Sequence, residues 1–276
     1  MGSPLRATIR ALLFFGWTIL LIPVQALALV FHARLARRLP VFYHRNTCRI
    51  LGVRTATRGT ISTAHPTLFV CNHSSYLDIT VLSSLIEGSF VSKAEVADWP
   101  FFGLLAKLQR TVFIERRTSQ AAAHRDEVGA RLDAGDNLFL FPEGTSTDGN
   151  HVLPFRSALF SVASREVHGR QIAVQPVSIA YTRLDGIPLG RALRPLYTWF
   201  GEMELGSHMW TMASLGSLTV EVEFHPPVTL AQFGSRKALA AHCYEAVAAG
   251  LAALNAGVAP VTRRKRRLLR PQPKRA

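Results

Sequence analysis

The sequence predicts an α/β domain whose sheet is mostly parallel and flanked by helices, preceded by a helical segment that inserts into a membrane. Three observations carry this expectation. From about residue 66, short apolar runs alternate with stretches of helical length, the pattern of chains built from βαβ units. The early runs are continuously apolar rather than alternating, as befits strands buried on both faces. Residues 11–31 carry no charge at all.

That charge-free run, "ALLFFGWTILLIPVQALALVF", is twenty-one residues long, close to the roughly 20 apolar residues of one bilayer crossing. Arg6 and Arg10 precede it, and Arg34, Arg37 and Arg38 follow. Ala26-Leu27-Ala28 has the small-residue form of a cleavage site. The apolar run continues past it and is then closed by arginines, which favours a retained anchor over a cleaved signal. Pro23 should kink or split the helix. A full span and a segment dipping into one leaflet both fit. The heavier basic load after the run places the body on the cytoplasmic face of the membrane.

Strands are expected at Thr67–Cys71, Ser89–Ser92, Thr111–Ile114, Asn137–Phe141, Ile172–Tyr181 and Leu218–Phe224. Helices are expected at Ser75–Ile86, Pro100–Leu108, Ser119–Ala134 and Ser157–Val167, with a last one from Ser235 to about Asn255. Residues Thr182–Ser217, rich in Gly, Trp and Met without clean periodicity, read as loops and short helices. The organisation is then an anchor over residues 1–40, one domain over 41–258 and a basic tail over 259–276.

Thirty-two Lys and Arg against eighteen Asp and Glu give a formal charge of +14, and eight of those basic residues lie in the last fourteen positions. Such a surplus suits an anionic partner, and beside an apolar anchor that partner is anionic membrane lipid. No nucleic-acid recognition module or basic-aromatic stripe is present, so nucleic acid is not expected as a partner. Cys48, Cys71 and Cys243 are far apart and in no metal-ligand spacing, and they read as small buried residues.

In open α/β sheets, function gathers at the carboxyl ends of strands. Three polar clusters fall there: "NHSSYLD" after the first expected strand, "ERR" after the third and "PEGTSTDG" after the fourth. His73 and Asp78 stand five residues apart. On one continuous helix they would diverge by about 140°. With His73 in the loop and the helix capped at Ser74 or Ser75, Asp78 falls in the first turn and faces back to the imidazole. It would then fix the tautomer and leave the other ring nitrogen as a base. No G-x-S-x-G elbow exists, which disfavours a serine hydrolase.

"NHSSYLD" resembles the N-H-x-x-x-x-D block of the glycerolipid acyltransferases, the PlsC-like 1-acylglycerol-3-phosphate acyltransferase family. "VFIERR" (Val112–Arg117), "FPEGTST" (Phe141–Thr147) and "VQPVSIAY" (Val174–Tyr181) resemble the second, third and fourth blocks, in order, over roughly residues 50–230. The resemblance implies that family's fold. It implies acyl transfer from acyl-CoA or acyl carrier protein, acting as co-substrate, to a lysolipid hydroxyl, with no cofactor or metal. His73, oriented by Asp78, would take the acceptor's proton. Arg116, Glu143, Gly144 and Thr145 match the positions that hold the acceptor's polar head, with Glu143 bonding hydroxyls or steering Arg116. Trp99, Pro100 and Phe101 would pack near the acyl channel, near lipid or in the core.

Two departures stand out. Arg110 or Thr111 replaces an early glycine of the second block, and Ser146 replaces the arginine that often follows F-P-E-G-T. Lys93, Arg117 and Arg156 are cations able to compensate. The leading expectation is phosphatidic acid synthesis from 1-acylglycerol 3-phosphate. The alternative keeps the chemistry and changes the acceptor to a lyso-ornithine lipid or another lysophospholipid. A non-catalytic membrane adaptor is the third reading. His124, His151, His168, His208, His225 and His242 are expected to be incidental.

Overall fold

The computed structural model describes residues 2–114, 121–167 and 169–257, and of residues 121–126 the backbone alone. Arg116, Arg117 and the basic tail lie outside the described residues. Two long helices open the chain, α1 (Pro4–Phe31) and α2 (Ala33–Leu51). After them come β1 (Val53–Gly59), β2 (Thr67–Cys71), α3 (Leu77–Leu85), β3 (Ser89–Lys93), α4 (Phe102–Leu108) and β4 (Val112–Ile114). The second half holds α5 (Ala121–Asp133), β5 (Leu138–Leu140), a short β6/β7 ribbon (Glu166–Val167, Arg170–Gln171) and β8 (Ala173–Leu184). It closes with β9 (Ile187–Pro188), α6 (Leu205–Ser214), β10 (Leu218–Phe224) and α7 (Arg236–Asn255).

The main sheet runs β1-β10-β8-β2-β5-β3-β4, with β9 paired to β8. Neighbours are parallel along this path except where β10 meets β8. The sheet is therefore mixed but mostly parallel. Alternation of side chains builds a core on each face. Phe69 and Cys71 of β2 join Leu77, Val81 and Leu82 of α3, while Leu68 and Val70 join Leu239 and Cys243 of α7. Every residue of β2 is buried, and a fully buried Leu, Val or Phe contributes roughly 1.5–3 kcal/mol.

Two elements differ from expectation. Residues Ser157–Ser164 form a 3₁₀ helix, and β6 follows where the sequence suggests more helix. Here Ser164 Oγ bonds the Ser161 carbonyl at 2.7 Å, a local partner that competes with helical pairing. Helix α2 runs through residue 40 without a break despite Pro40. Its buried side is Ala36, His44, Thr47 and Cys48, small and polar groups that do not read as an apolar stripe.

Helix α1 also runs as one helix through Pro23, and it is long and apolar enough to cross a membrane by length and composition. It lies along the body. Arg10 donates to the carbonyls of Ala213, Leu215 and Gly216 at the end of α6 (3.1, 2.8 and 3.1 Å), and Arg6 to that of Ser214. Cations suit a helix C-terminus, where carbonyls lack partners. Farther along, Gln25 Nε2 donates to Ala36 and Leu108 carbonyls at 3.0 and 2.9 Å. The first of these would ordinarily bond the N–H of residue 40, which proline lacks. The outer face of α1 exposes Leu5, Leu12, Ile19, Leu20, Leu27 and Phe31.

Candidate active site

Strands β2 and β5 are parallel neighbours, with Val70 opposite Leu140, so the loops after both emerge at one edge. Strand β8 is parallel to β2 and outruns it: Cys71 pairs with Val177, leaving Ile179 and Tyr181 beside the loop that follows. Asn72 closes that gap. Its Oδ1 accepts from Ile179 N at 2.8 Å and its Nδ2 donates to Ile179 O at 3.0 Å, pinning the chain where it leaves the sheet.

The next residue is His73. Helix α3 begins at Leu77 with Tyr76 at its N-cap, two residues later than the earliest cap expected, and Asp78 sits in its first turn. The Asp78 carboxylate is fully buried and accepts four hydrogen bonds. Oδ2 takes His73 Nδ1–H at 2.9 Å, Ser74 N–H at 2.7 Å and Ser75 N–H at 2.9 Å, and Oδ1 takes the Tyr181 hydroxyl at 2.5 Å. A carboxylate so surrounded by donors acts as acceptor only, so Nδ1 carries the imidazole proton and Nε2 presents a lone pair. Nε2 has no hydrogen bond to any described residue, and about a quarter of the His73 side chain is exposed (23%). The ring stacks on Phe141, centroids 4.2 Å apart and planes 21° from parallel. Burial, then the nearby Asp78 charge, hold the Tyr181 phenol well above its ordinary range, so it stays a donor.

Glu143 is turned inward. Oε1 accepts from His73 N at 2.7 Å and Oε2 from Leu153 N at 2.6 Å, and the residue is only 2% exposed. Each oxygen thus takes a backbone amide, and no described arginine bonds it. It clamps the loop that carries His73. Burial raises its carboxyl to about 7, opposed by the two amides and reinforced by the Asp78 charge. Thr147 N donates to His73 O at 3.0 Å and ties the same two loops together a second time.

Gly144 turns the chain at φ +74°, where a Cβ would stand 2.8 Å from Arg156 Cζ. The Arg156 guanidinium thus lies over this glycine, and the next residue in the chain, Thr145, is exposed. Asp148 and His151 pair at 3.0 Å on the same loop. Tyr76 Oη and His208 Nδ1 stand 3.1 Å apart, giving His208 a place near the site that its sequence context does not signal. Among the described residues, no group of three or more His, Cys, Asp or Glu side chains is placed to hold a metal ion.

A cavity of about 490 Å³ opens beside Tyr76 and runs between α1, α2, α3, α4 and α6. Phe14, Leu21, Leu39, Leu105 and Met209 are among its walls. Trp99 lines it too, while Phe101 stacks edge-on with Phe14 and Phe102 at 6.5 and 5.4 Å. Tyr181, Phe141 and the Tyr76–His208 pair are site neighbours that sequence reasoning did not assign. For Tyr181 the available signal was its position at the end of "VQPVSIAY".

The described residues thus combine an α/β sheet, a carboxylate-held histidine at its strand ends and an apolar cavity lined by Tyr76 of the following segment. The family described as acyltransferase matches residues 28–180. The chain is 47% identical over 224 residues to the lyso-ornithine lipid O-acyltransferase of Brucella abortus, covering 80% of this chain and 84% of the relative. It is 31% identical to the 1-acyl-sn-glycerol-3-phosphate acyltransferase of Neisseria gonorrhoeae, covering 68% and 71%. The crystal structure of PlsC from Thermotoga maritima superposes with a TM-score of 0.64 at 20% identity, over 91% of this chain and 97% of that one. This chain belongs to the PlsC-like acyltransferase family and is an acyltransferase.

Proposed function

We propose that this enzyme transfers a fatty acyl group from the thioester of acyl-CoA or acyl carrier protein to the free hydroxyl of a lyso-ornithine lipid. The observation that carries the choice of acceptor is the 47% identity across 84% of a relative named for that acceptor. A second relative of the same name, from Rhizobium meliloti, is 38% identical over 81% of its length. Ser146 agrees with it: an arginine there would favour a phosphate-bearing head, and this chain lacks it.

His73 Nε2 removes the acceptor's hydroxyl proton as the oxygen attacks the thioester carbonyl. Asp78 steadies the imidazolium that forms. Collapse of the tetrahedral adduct expels the thiolate, which recovers the proton from Nε2, and the chain is left unmodified. Arg156 over Gly144, with Arg116 and Thr145, meets the acceptor's carboxylate through planar, paired donors. The apolar cavity takes an acyl chain. Helix α1 lies in the plane of the membrane interface, because Arg10 near its start and Gln25 in its last third bond the body while its outer face is apolar. The body stands on the cytoplasmic side, where the basic residues meet anionic lipid.

The 1-acylglycerol 3-phosphate reading is kept as the second, supported by the 31% identity to the Neisseria relative. Membranes carrying this protein, offered labelled acyl-CoA and acyl carrier protein with both acceptors side by side, decide between them. Ornithine lipid as the main product, absent with His73→Ala, is the expected result. Phosphatidic acid as the main product would transfer the proposal to the second acceptor.

A further inference from the structure

The His73 imidazole ends a run of four phenylalanine rings, each stacked on the next. Phe69 and Phe139 stand 5.3 Å apart with planes 27° from parallel, and Phe139 and Phe90 stand 4.8 Å apart at 20°. Phe90 and Phe141 follow at 6.1 Å and 16°, then Phe141 and His73 at 4.2 Å and 21°. Three parallel strands supply the buried rings: Phe69 is on β2, Phe139 on β5 and Phe90 on β3. Phe141 comes two residues after Phe139, so the alternation of the strand carries it to the same face. Its ring is thus backed by the core on the Phe90 side and meets the imidazole on the other.

The aspartate bond alone sets the imidazole plane loosely. The second side-chain torsion of histidine is broad, and a hydrogen bond tolerates tens of degrees of misalignment. The Nε2 lone pair lies in the ring plane, so a stacked neighbour that holds the plane also holds its aim. The stack gains a second effect during reaction. Once Nε2 has taken a proton, the ring carries a positive charge, and its centroid stands well within the roughly 6 Å at which a cation is drawn to an aromatic face. Because the planes are nearly parallel, the charge meets the negative face of Phe141 and not its positive edge. Asp78 acts on the same charge through Nδ1, and Glu143 bonds only the main-chain N–H of His73, so neither displaces Phe141 from the ring face.

We propose that Phe141 is a positioning residue for acyl transfer: its face holds the plane of the His73 ring and stabilises the imidazolium that forms as Nε2 takes the acceptor's proton. This rests on the reading of His73 as the base. The stabilisation exists only while the proton is on Nε2 and ends when the proton passes to the leaving thiolate. It therefore acts on the chemical step and is read in kcat.

The test is acyl transfer by the purified full chain in detergent, with whichever of the two acceptors it converts. Phe141 is replaced in turn by mono-, di- and trifluorinated phenylalanine, which keep the ring and withdraw electron density from its face. We expect kcat to fall stepwise, by roughly tenfold at the trifluorinated ring, with KM and melting temperature nearly unchanged. Phe141→Tyr, which keeps an electron-rich face, should stay close to the unaltered enzyme. Phe141→Leu, apolar but without a face, should lose at least as much kcat as the trifluorinated ring. A kcat that is level across the fluorinated series, or a leucine variant as fast as the unaltered enzyme, overturns the proposal and leaves Phe141 as packing. His73→Ala separates the two readings. Activity retained in that variant overturns the assignment of the base and the proposal with it, whereas an inactive His73→Ala beside a level series overturns the role of Phe141 alone.

Discussion

The Tyr181 hydroxyl donates to Asp78 Oδ1 at 2.5 Å, through the carboxylate oxygen that His73 does not use. A strand residue on β8 thus holds the aspartate that holds the histidine, and its side chain is buried. Tyr181→Phe keeps the ring and removes that one bond. We expect kcat to fall roughly tenfold with KM nearly unchanged, and stability to fall by about 1–2 kcal/mol. Steady-state kinetics beside a denaturant titration read both, and an unchanged kcat removes Tyr181 from the site.

Asp78→Asn is more damaging. The amide places a donor against Ser74 N–H, Ser75 N–H or the imidazole, each of which now donates to a carboxylate. His73 would turn to its other tautomer and its outward nitrogen would carry a proton. A loss of roughly 10³–10⁴ in kcat is expected, as when an orienting aspartate is neutralised. Retention of a tenth of the activity in a folded variant excludes Asp78 as the orienting group.

Glu143 supplies a pH dependence of stability. Its folded carboxyl titrates at about 7, above its ordinary 4.5, because burial disfavours the charge. The folded state holds the proton more tightly, so this contribution is complete below about 4.5 and is lost as pH rises through about 7. The loss amounts to a few kcal/mol at most, at 1.36 kcal/mol per pKa unit. Glu143→Gln should flatten the stability profile across that window. It should also lower kcat, because an amide cannot accept from both His73 N and Leu153 N. Denaturant midpoints measured from pH 4.5 to 8 test the first effect, and a slope identical to wild type refutes it.

Arg10→Met removes three charge-assisted bonds from the end of α6 while keeping the apolar stem. A cost of about 2–3 kcal/mol in the docking of α1 is expected, since bonds to charged groups are each worth about 1.5–3 kcal/mol but share one side chain here. Limited proteolysis within residues 4–12 should then run faster than in the unaltered protein. Equal cleavage rates would mean that apolar packing alone holds α1 in place.

Much of the sheet was legible because its strands are buried runs. Expected and observed bounds coincide for β2 (Thr67–Cys71) and β10 (Leu218–Phe224). Strand β1 was not, because "VRTATRG" is largely exposed and carries no apolar pattern. The His73–Asp78 bond follows from a five-residue spacing across a helix start. The Tyr181 bond spans 103 residues and depends on β8 outrunning β2, which no local pattern reveals. The inward turn of Glu143 was equally hidden, since its partners are main-chain amides of His73 and Leu153, and amides have no sequence identity.

Helix α2 is completed by a side chain from α1: Gln25 supplies the bond that Pro40 withholds from the Ala36 carbonyl. For anyone seeking a water-soluble form of this protein, trimming the N-terminus is therefore the wrong cut. It would bare a carbonyl inside α2 and strip one wall from the cavity. The better route keeps every residue of α1 and recolours only its outer face, exchanging exposed Leu12, Leu20 and Leu27 for charged side chains.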